Sequence, residues 1–467
     1  MQLDIKIQGE TLNVTPEVLE RYNVAGPRYT SYPTAPEWLD SFGPANYERA
    51  LIQSNEAHPL RPLSLYMHLP FCDHLCLFCG CNVVISKNHE VLIPYLAKLE
   101  WEIDRLAQKV DASRPVVQFH WGGGTPTYLS SAQLEHLFGY TRERMRFAPD
   151  AEIGVEIDPR VTQEAHLTVL RRLGFNRISM GIQDFNPVVQ KTVRRFQPYE
   201  QTKAIFDLCR SLAFDSINID LIYGLPLQTP ESFLDSVDKV IGLGPDRVAM
   251  FSYAHVPWLK KQQGSFSKLI PQGMDKFQIF RSGIERFTAA GYRYIGMDHF
   301  ARPDDELCLA QEDRTLHRNF QGYTTKAGAD LFGLGVSSIS GIDRIYAQNY
   351  RDLRDYYAAI ERNVFPVMRG IELCDDDVIR REVISRLLCH CVLRKAEIES
   401  EFCLRFDEYF ADELRRLEPL QNDGLVSLSA ESISVTQLGR IFIRNVGMVF
   451  DKYLNKSRTK PVFSKTL

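Results

Sequence analysis

The sequence predicts an α/β protein: a complete or partial TIM-like (β/α) barrel of parallel strands, with an N-terminal arm and a mostly helical C-terminal domain. Three observations carry this expectation. From residue 61 onward, short β-rich runs alternate with amphipathic stretches about six times or more, the pattern of βαβ units around a parallel sheet. The runs are apolar nearly throughout, as expected when helices cover one face and packing fills the other. Polar motifs fall just after the runs, at the strand ends where such barrels gather their working residues.

The first run, Leu63 to Leu69 (LSLYMHL), leads directly into a cysteine loop. Further runs are Val116 to Trp121, Ile153 to Ile157, Arg177 to Ile182, Ser216 to Tyr223, Arg247 to Tyr253, Tyr292 to Met297 and Gly335 to Ile339. Between the first two, Leu96, Leu99, Ile103, Leu106 and Val110 form a helical stripe. Residues 1–60 read as an arm, because the Tyr/Pro-rich stretch Tyr22 to Ala35 (YNVAGPRYTSYPTA) is too broken for a regular element. The barrel spans 61–345. The strand pattern then stops, and 346–467 reads as mostly helical, for example around Val378 to Leu393. There a turn at Asp423-Gly424 and short β-runs at Leu425 and Ile433 add a winged-helix-like outline.

With 467 residues, 44% hydrophobic and 24% charged, the chain is an ordinary globular protein of two or three domains, or one barrel with additions. A net charge of −4 argues against a general nucleic-acid or membrane-surface binder. The first ten residues lack the basic and apolar regions of a signal peptide. No apolar run approaches the ~20 residues needed to span a bilayer. The expected location is the cytoplasm, where thiols stay reduced.

The cysteine loop is the most informative segment: Cys72-Asp-His-Leu-Cys76-Leu-Phe-Cys79-Gly-Cys81. Its C-x3-C-x2-C spacing lets one short loop wrap three thiolates around a compact inorganic core. A [4Fe–4S] cluster normally takes four thiolates, so three would leave one iron open to a non-protein ligand. A zinc ribbon would need a second knuckle, and the next cysteine is the isolated Cys209. A one-loop zinc site with His74 or His89 and a cluster bound by all four thiolates both stay open at this level. A disulfide framework fits worse, because ten cysteines in 467 residues is a low density.

Other motifs follow successive strands. Trp121-Gly122-Gly123-Gly124-Thr125-Pro126 allows close backbone approach to a ligand, and is not a G-x-G-x-x-G fingerprint. Glu156-Ile-Asp158-Pro159, Gly181-Ile-Gln183-Asp184 and Asn218-Ile-Asp220 put polar groups inside apolar runs, where they are costly to bury unpartnered. Several at successive strand ends suggest a ring around a polar ligand. Arg195 could neutralise a ligand carboxylate.

The three-cysteine loop with an aromatic before its third cysteine, followed by GGGTP on a strand–helix barrel, resembles the radical S-adenosylmethionine enzymes. The resemblance narrows with the C-x-C, the YNVAGPRYTSYPTA arm, HWGGGTPTYL, MGIQDFN, NIDLIYGLP, GMDHFARPDDEL and HRNFQGYTT. Together these are similar to the oxygen-independent coproporphyrinogen III oxidase family, from about residue 20 to the C-terminus. That resemblance implies a [4Fe–4S] cluster on Cys72, Cys76 and Cys79, with S-adenosylmethionine on the open iron. It implies a 5′-deoxyadenosyl radical that takes hydrogen from the β-carbon of a substrate propionate. Loss of an electron and CO2 then leaves a vinyl group, and doing this on rings A and B turns coproporphyrinogen III into protoporphyrinogen IX. The residues matching the family's first S-adenosylmethionine position are Tyr66, Gly123, Gly124, Thr125 and Glu156. Those matching a second are Phe78, Gln183, Arg195, Asp220, Ala254 and Ile339. Cys81 matches a cysteine that is not a cluster ligand and, with Tyr66, is assigned a role near the reacting centre.

A tetracarboxylate substrate calls for cations, and Arg28, Arg195, Arg302, His317 and Arg318 are the candidates. The arm and the HRNFQGYTT loop are expected to close over the substrate. Rival readings are a haem chaperone of the same superfamily, an electron-carrying iron–sulfur protein, and a nucleic-acid-binding winged helix. The last would use Arg440, Arg444, Lys452, Lys456, Arg458 and Lys460. Expected partners are coproporphyrinogen III, an unidentified electron donor and an unidentified acceptor, with no nucleic acid and no membrane span. A monomer is expected, because no unmatched apolar face is visible.

Overall fold

The computed structural model describes residues 3–454 and 462–466. Of the basic residues read as a nucleic-acid surface, Lys456, Arg458 and Lys460 lie outside the described residues.

The core is a twelve-stranded sheet. Its strands are β1 (Leu63–Leu69), β2 (Val116–Gly123), β3 (Phe147–Ile157), β4 (Arg177–Gln183), β5 (Ser216–Tyr223), β6 (Arg247–Ser252), β7 (Arg293–Gly296), β8 (His299–Ala301), β9 (Asp330–Leu334), β10 (Ile339–Ile342), β11 (Ile345–Asn349) and β12 (Val367–Glu372). They lie in the order β7-β8-β6-β5-β4-β3-β2-β1-β9-β10-β11-β12. Neighbours from β1 to β6 are parallel, and β9 is parallel to β1. The remaining pairs are antiparallel. Helices Leu92–Ala107 (α1), Ser131–Arg144 (α2), Glu164–Leu173 (α3), Tyr199–Ser211 (α4), Pro230–Leu243 (α5) and Gly273–Ala289 (α6) follow β1 to β6 in turn. This is a partial (β/α) barrel. Side-chain hydroxyls of Ser130 and Thr229 cap α2 and α5 at their starts, and left-handed Gly174 and Gly244 end α3 and α5.

Three sequence expectations need correction. β4 and β5 are not apolar throughout. Ile178, Met180, Ile182, Ile219 and Leu221 are buried, while the half-buried alternate positions carry Ser179, Gln183, Asn218 and Asp220. The period-2 alternation of a strand thus separates packed positions from those facing a cavity. Of the strand placed at Gly335 to Ile339, only Ile339 is in a strand, as the first residue of β10; residues 335–338 form the turn between β9 and β10. Gly335 has φ +90°, and a Cβ there would lie 2.7 Å from the His68 carbonyl oxygen. Strand pairing also continues past residue 345 through β11 and β12.

The helical stripe on α1 buries Leu92, Leu96, Leu99, Ile103 and Leu106, and with them Glu102. Its carboxylate accepts from Gly335 N–H (2.7 Å), Asn349 Nδ2 (2.7 Å) and Tyr356 Oη (2.6 Å). Burial lifts the Glu102 carboxyl from 4.5 to about 7 despite those bonds. Across that window the folded chain keeps a proton that the unfolded chain has released, so this residue's contribution to stability falls as pH rises. Relative to Glu102→Gln, the wild type should therefore lose on the order of 3 kcal/mol between about pH 5 and pH 8. Urea midpoints measured on both proteins at both pH values check this; a constant difference would refute it.

The N-terminal sixty residues are more ordered than an arm. A hairpin (Leu3–Ile7, Glu10–Val14) and helices Pro16–Tyr22 and Pro44–Ala57 flank the irregular stretch. Tyr22, Tyr29 and Tyr32 are buried in the core. Arg444 donates to the carbonyls of Gly26, Pro27 (3.0 Å), Lys465 (3.2 Å) and Thr466 (3.1 Å). It therefore clamps the arm to the chain's end and presents no nucleic-acid surface. Arg440 is likewise turned inward, onto the Tyr294 and Ile295 carbonyls. The C-terminal part packs helices Asp375–His390, Lys395–Phe402 and Ala411–Asn422 with a three-stranded antiparallel sheet. Among the described residues no helix is long and apolar enough to cross a membrane.

Candidate active site

The loops after β1 to β6 surround a cavity of about 450 Å³. β1 ends at Leu69, whose carbonyl accepts from Gly124 N–H (2.8 Å), and the Phe71 carbonyl accepts from Thr125 N–H (2.9 Å). These two bonds seat the start of the cysteine loop on the glycine turn after β2. The Thr125 hydroxyl lies 3.3 Å from Cys72 Sγ. The far side of the loop is held through its backbone: Gln263 Nε2 donates to the Phe78 carbonyl (2.9 Å), Gln262 Nε2 to Cys79 (3.2 Å) and Lys260 Nζ to Cys81 (2.6 Å).

The three glycines make room for protein as well as ligand. A Cβ on Gly122 would meet the Glu156 carboxylate at 2.9 Å. On Gly123, at φ +112°, it would meet the His68 ring at 2.5 Å, and on Gly124 the Pro70 carbonyl at 2.6 Å. This close approach lets Gly123 N–H donate to Glu156 Oε2 (3.0 Å). Burial pushes the Glu156 carboxyl upward, but His120, 3.6 Å away, and the Gly123 N–H outweigh it and hold it below the usual range. Two strands along the sheet, on β5, Asp220 accepts from Asn218 Nδ2 (2.7 Å) and the Ser179 hydroxyl (3.3 Å). Burial, reinforced by the Glu156 charge, pushes Asp220 up to about 7.

Cys72, Cys76, Cys79 and Cys81 all line the cavity, as do Phe78, Gly123, Gly124, Thr125, Glu156, Gln183, Arg195, Asp220 and Ala254. Tyr66 and Ile339 do not. The Tyr66 hydroxyl sits 3.1 Å from His68 Nδ1, and its ring stacks on His120, which in turn reaches Glu156. Tyr66 thus stands one residue behind the wall. Ile339 is on β10, packed with the Trp38–Tyr346 cluster, and its backbone crowds Gly333. Of the proposed carboxylate-binding cations, Arg28 and Arg195 line the cavity. Arg28 is also ion-paired with Asp298 (2.6 Å). Arg302 does not belong there, since its guanidinium caps α5 through the Gly244 and Pro245 carbonyls. His317 and Arg318 line a second cavity.

Sequence reasoning missed Arg160. Its Nη2 lies 2.6 Å from Asp158 Oδ2 and 3.4 Å from Cys76 Sγ, and Arg195 Nη1 lies 3.1 Å and 3.6 Å from the same two atoms. Burial raises the Asp158 carboxyl, but Arg195 and Arg160 override it and hold it at about 2. Two guanidiniums are thereby oriented onto one sulfur, where they would offset a thiolate's charge. The only hint was position, two residues beyond Asp158. The backbone clamp from Lys260 to Gln263 carried no readable signal.

All ten cysteines are free thiols. Among the described residues, no three His, Cys, Asp or Glu side chains are placed to share a single metal ion. Three thiolates around a cavity mouth suit a larger iron–sulfur core, which spreads its ligands farther apart than one ion does. Burial pushes the Cys72 thiol up to about 12. A hydrogen bond from Cys81 draws Cys79 down, and the same contact raises Cys81. The Tyr253 hydroxyl and Arg195 Nε, both on cavity-lining residues, are buried without a partner among the described residues. Such orphaned groups fit a polar ligand like S-adenosylmethionine.

Residues 66–240 match the family model of the Radical SAM superfamily, and residues 373–442 match that of the HemN C-terminal domain. With the cysteine loop and its cavity, this defines a radical S-adenosylmethionine enzyme, whose cofactors are a [4Fe–4S] cluster and S-adenosyl-L-methionine. The oxygen-independent coproporphyrinogen III oxidase of Escherichia coli is 48% identical over 96% of this chain and 98% of its own. That of Synechocystis is 45% identical over 98% and 99%. The solved structure of coproporphyrinogen III oxidase (HemN) from Escherichia coli superposes with a TM-score of 0.89, covering 91% of this chain and 98% of that one. The chain belongs to the oxygen-independent coproporphyrinogen III oxidase family.

Proposed function

We propose that the cavity converts the ring A and ring B propionates of coproporphyrinogen III to vinyl groups, giving protoporphyrinogen IX. The observation that carries this is the three-cysteine loop at the mouth of a cavity ringed by Glu156, Gln183, Arg195 and Asp220. Cys72, Cys76 and Cys79 would hold the cluster. When bound and reduced, the cluster supplies the electron that cleaves S-adenosylmethionine into methionine and a hydrogen-abstracting radical. Each propionate loses a hydrogen atom from its β-carbon, then CO2 and one electron. Gly123, Gly124, Thr125 and Glu156, with Tyr66 behind them, are assigned to the first S-adenosylmethionine. Phe78, Gln183, Arg195, Asp220 and Ala254 are assigned to a second, with Ile339 outside the cavity wall. Arg160 and Arg195 offset charge at Cys76, and Asp158 orients them. Cys81 and Tyr66 stand near the reacting centre without holding iron.

The reaction needs an electron donor and a separate acceptor. A cytoplasmic monomer is the proposed working form. The test is anaerobic: reconstitute the cluster, add dithionite, S-adenosylmethionine and coproporphyrinogen III, and follow 5′-deoxyadenosine and protoporphyrin by chromatography. Both products support the proposal. Deoxyadenosine without vinyl product would keep the radical chemistry and move the substrate elsewhere, as for a haem chaperone.

A further inference from the structure

A second cavity, of about 480 Å³, adjoins the first. The arm forms their common boundary: Arg28 lines the first, while Tyr29 to Tyr32 line the second. Rings bridge the same partition. Arg28 lies over Phe251 (5.7 Å), Phe251 packs on His299 (5.9 Å), His299 on Tyr323 (5.2 Å), and Arg318 lies over Tyr323 (4.9 Å). The HRNFQGYTT segment, which supplies His317 to Phe320, faces the arm across this second cavity.

The charges here do not balance. Of the lining acids, Asp330 is bound by Arg114, Ser54 and Arg61, Asp343 by Arg61 and His58, and Glu382 by Arg386. The cations left over are Arg318, Lys326 and Arg381. Among the described residues none of the three makes an ion pair, and Arg381 donates to the Asp343 carbonyl (3.2 Å). Arg318 is the most telling, because its Nε and Nη1 are buried with no hydrogen-bond partner among the described residues. Two guanidinium nitrogens desolvated without an acceptor are costly to keep, and the planar fork of an arginine matches a carboxylate.

We propose that this second cavity is a carboxylate-binding annex of the active site, in which Arg318, supported by Lys326 and Arg381, holds propionates of the tetrapyrrole that are not being decarboxylated. The inference rests on the substrate class proposed above. Four propionates enter and two leave unchanged, so the substrate presents two carboxylates that need lasting cationic partners. The first cavity offers them little: Arg28 is paired with Asp298, and Arg195 is committed to Asp158 and the Gly181 carbonyl. The arm between the cavities would then brace the macrocycle, reacting edge on one side and retained carboxylates on the other.

The test uses the cluster-loaded enzyme and two probes, coproporphyrin III and its tetramethyl ester, with binding followed by fluorescence. The wild type should prefer the free acid. Arg318→Met should weaken the acid by ten- to a hundredfold, the scale of a lost charge-assisted hydrogen bond, and leave the ester unchanged. Arg318→Lys should recover part of the preference. Lys326→Met, at a less enclosed position, should lose several-fold of it, so the outcome does not depend on the Arg318 variant folding. Acid and ester weakened equally would assign Arg318 to packing and overturn the proposal, as would an unchanged acid preference. Turnover separates the two readings. If the wild type makes no vinyl product from coproporphyrinogen III yet shows the Arg318-dependent acid preference, the reaction assignment fails and the carboxylate site stands.

Discussion

Cys76→Ala is expected to abolish both cluster binding and turnover, whereas Cys81→Ala keeps the cluster. The two residues share one ten-residue loop and one cavity, so proximity alone does not separate them. Their surroundings do. Cys76 is buried and faces two guanidiniums, at 3.4 Å and 3.6 Å, which would offset a metal-bound thiolate's negative charge. Among the described residues no guanidinium is bonded to the Cys81 sulfur, whose contact is with Cys79. A cluster on Cys79 would draw that thiolate toward iron and leave Cys81 a free thiol beside the site. Reconstituted wild type and Cys81→Ala should each carry about four irons per chain. Cys72→Ala, Cys76→Ala and Cys79→Ala should carry few or none, and form no 5′-deoxyadenosine above the background without enzyme. Iron content and charge-transfer absorbance measured on all four variants decide the ligand set. Loss of iron in Cys81→Ala would make it the fourth ligand and remove the open position.

What could be read from the sequence was what lies close in the chain. The cysteine loop, the glycine turn and the strand-end carboxylates each occupy a few consecutive residues, and the βα repeat puts them on one side of the barrel. Residues that meet only through folding were harder. Arg28 and Arg302 look alike as arginines near Pro residues, yet one reaches the cavity from the arm and the other caps α5 on its carbonyl end. Arg160 became meaningful only once the pairing of β3 with β4 brought Asp158 and Arg195 together. Val336 and Ile339 have side chains that favour β structure, but Gly335 does not continue a strand. The positive φ of Gly335 turns the chain there, so the pairing residues lie on either side. β11 and β12 extend the sheet as antiparallel strands, outside the βα repeat that made the others visible. The arm looked irregular because its order comes from distant partners, Arg444 and the C-terminal segment around Ser464 to Thr466.

Gly124→Ala is expected to be nearly as damaging as loss of a cluster ligand, although the residue bears no functional group. An added Cβ would stand 2.6 Å from the Pro70 carbonyl carbon and oxygen and 2.7 Å from the Phe71 carbonyl oxygen. All three are backbone atoms, so no rotamer change relieves the contact and one of the two loops must shift. The hydrogen bonds from Gly124 N–H to Leu69 and from Thr125 N–H to Phe71 are the ones that set where the cysteine loop begins. Overpacking of this kind costs about 1–3 kcal/mol or more. Because the clash falls between the cysteine loop and the glycine turn, the damage should concentrate in the site. Gly80 is the matching control: it lies between Cys79 and Cys81, and a Cβ there meets nothing within 4 Å. Gly80→Ala should retain iron and turnover within about twofold, since the added methyl would displace no neighbour. Gly124→Ala should lose at least tenfold in turnover per folded chain, with lowered iron content and an unfolding midpoint shifted only modestly. Equal behaviour of the two variants would mean that the contact between the glycine turn and Pro70-Phe71 does not position the cluster loop.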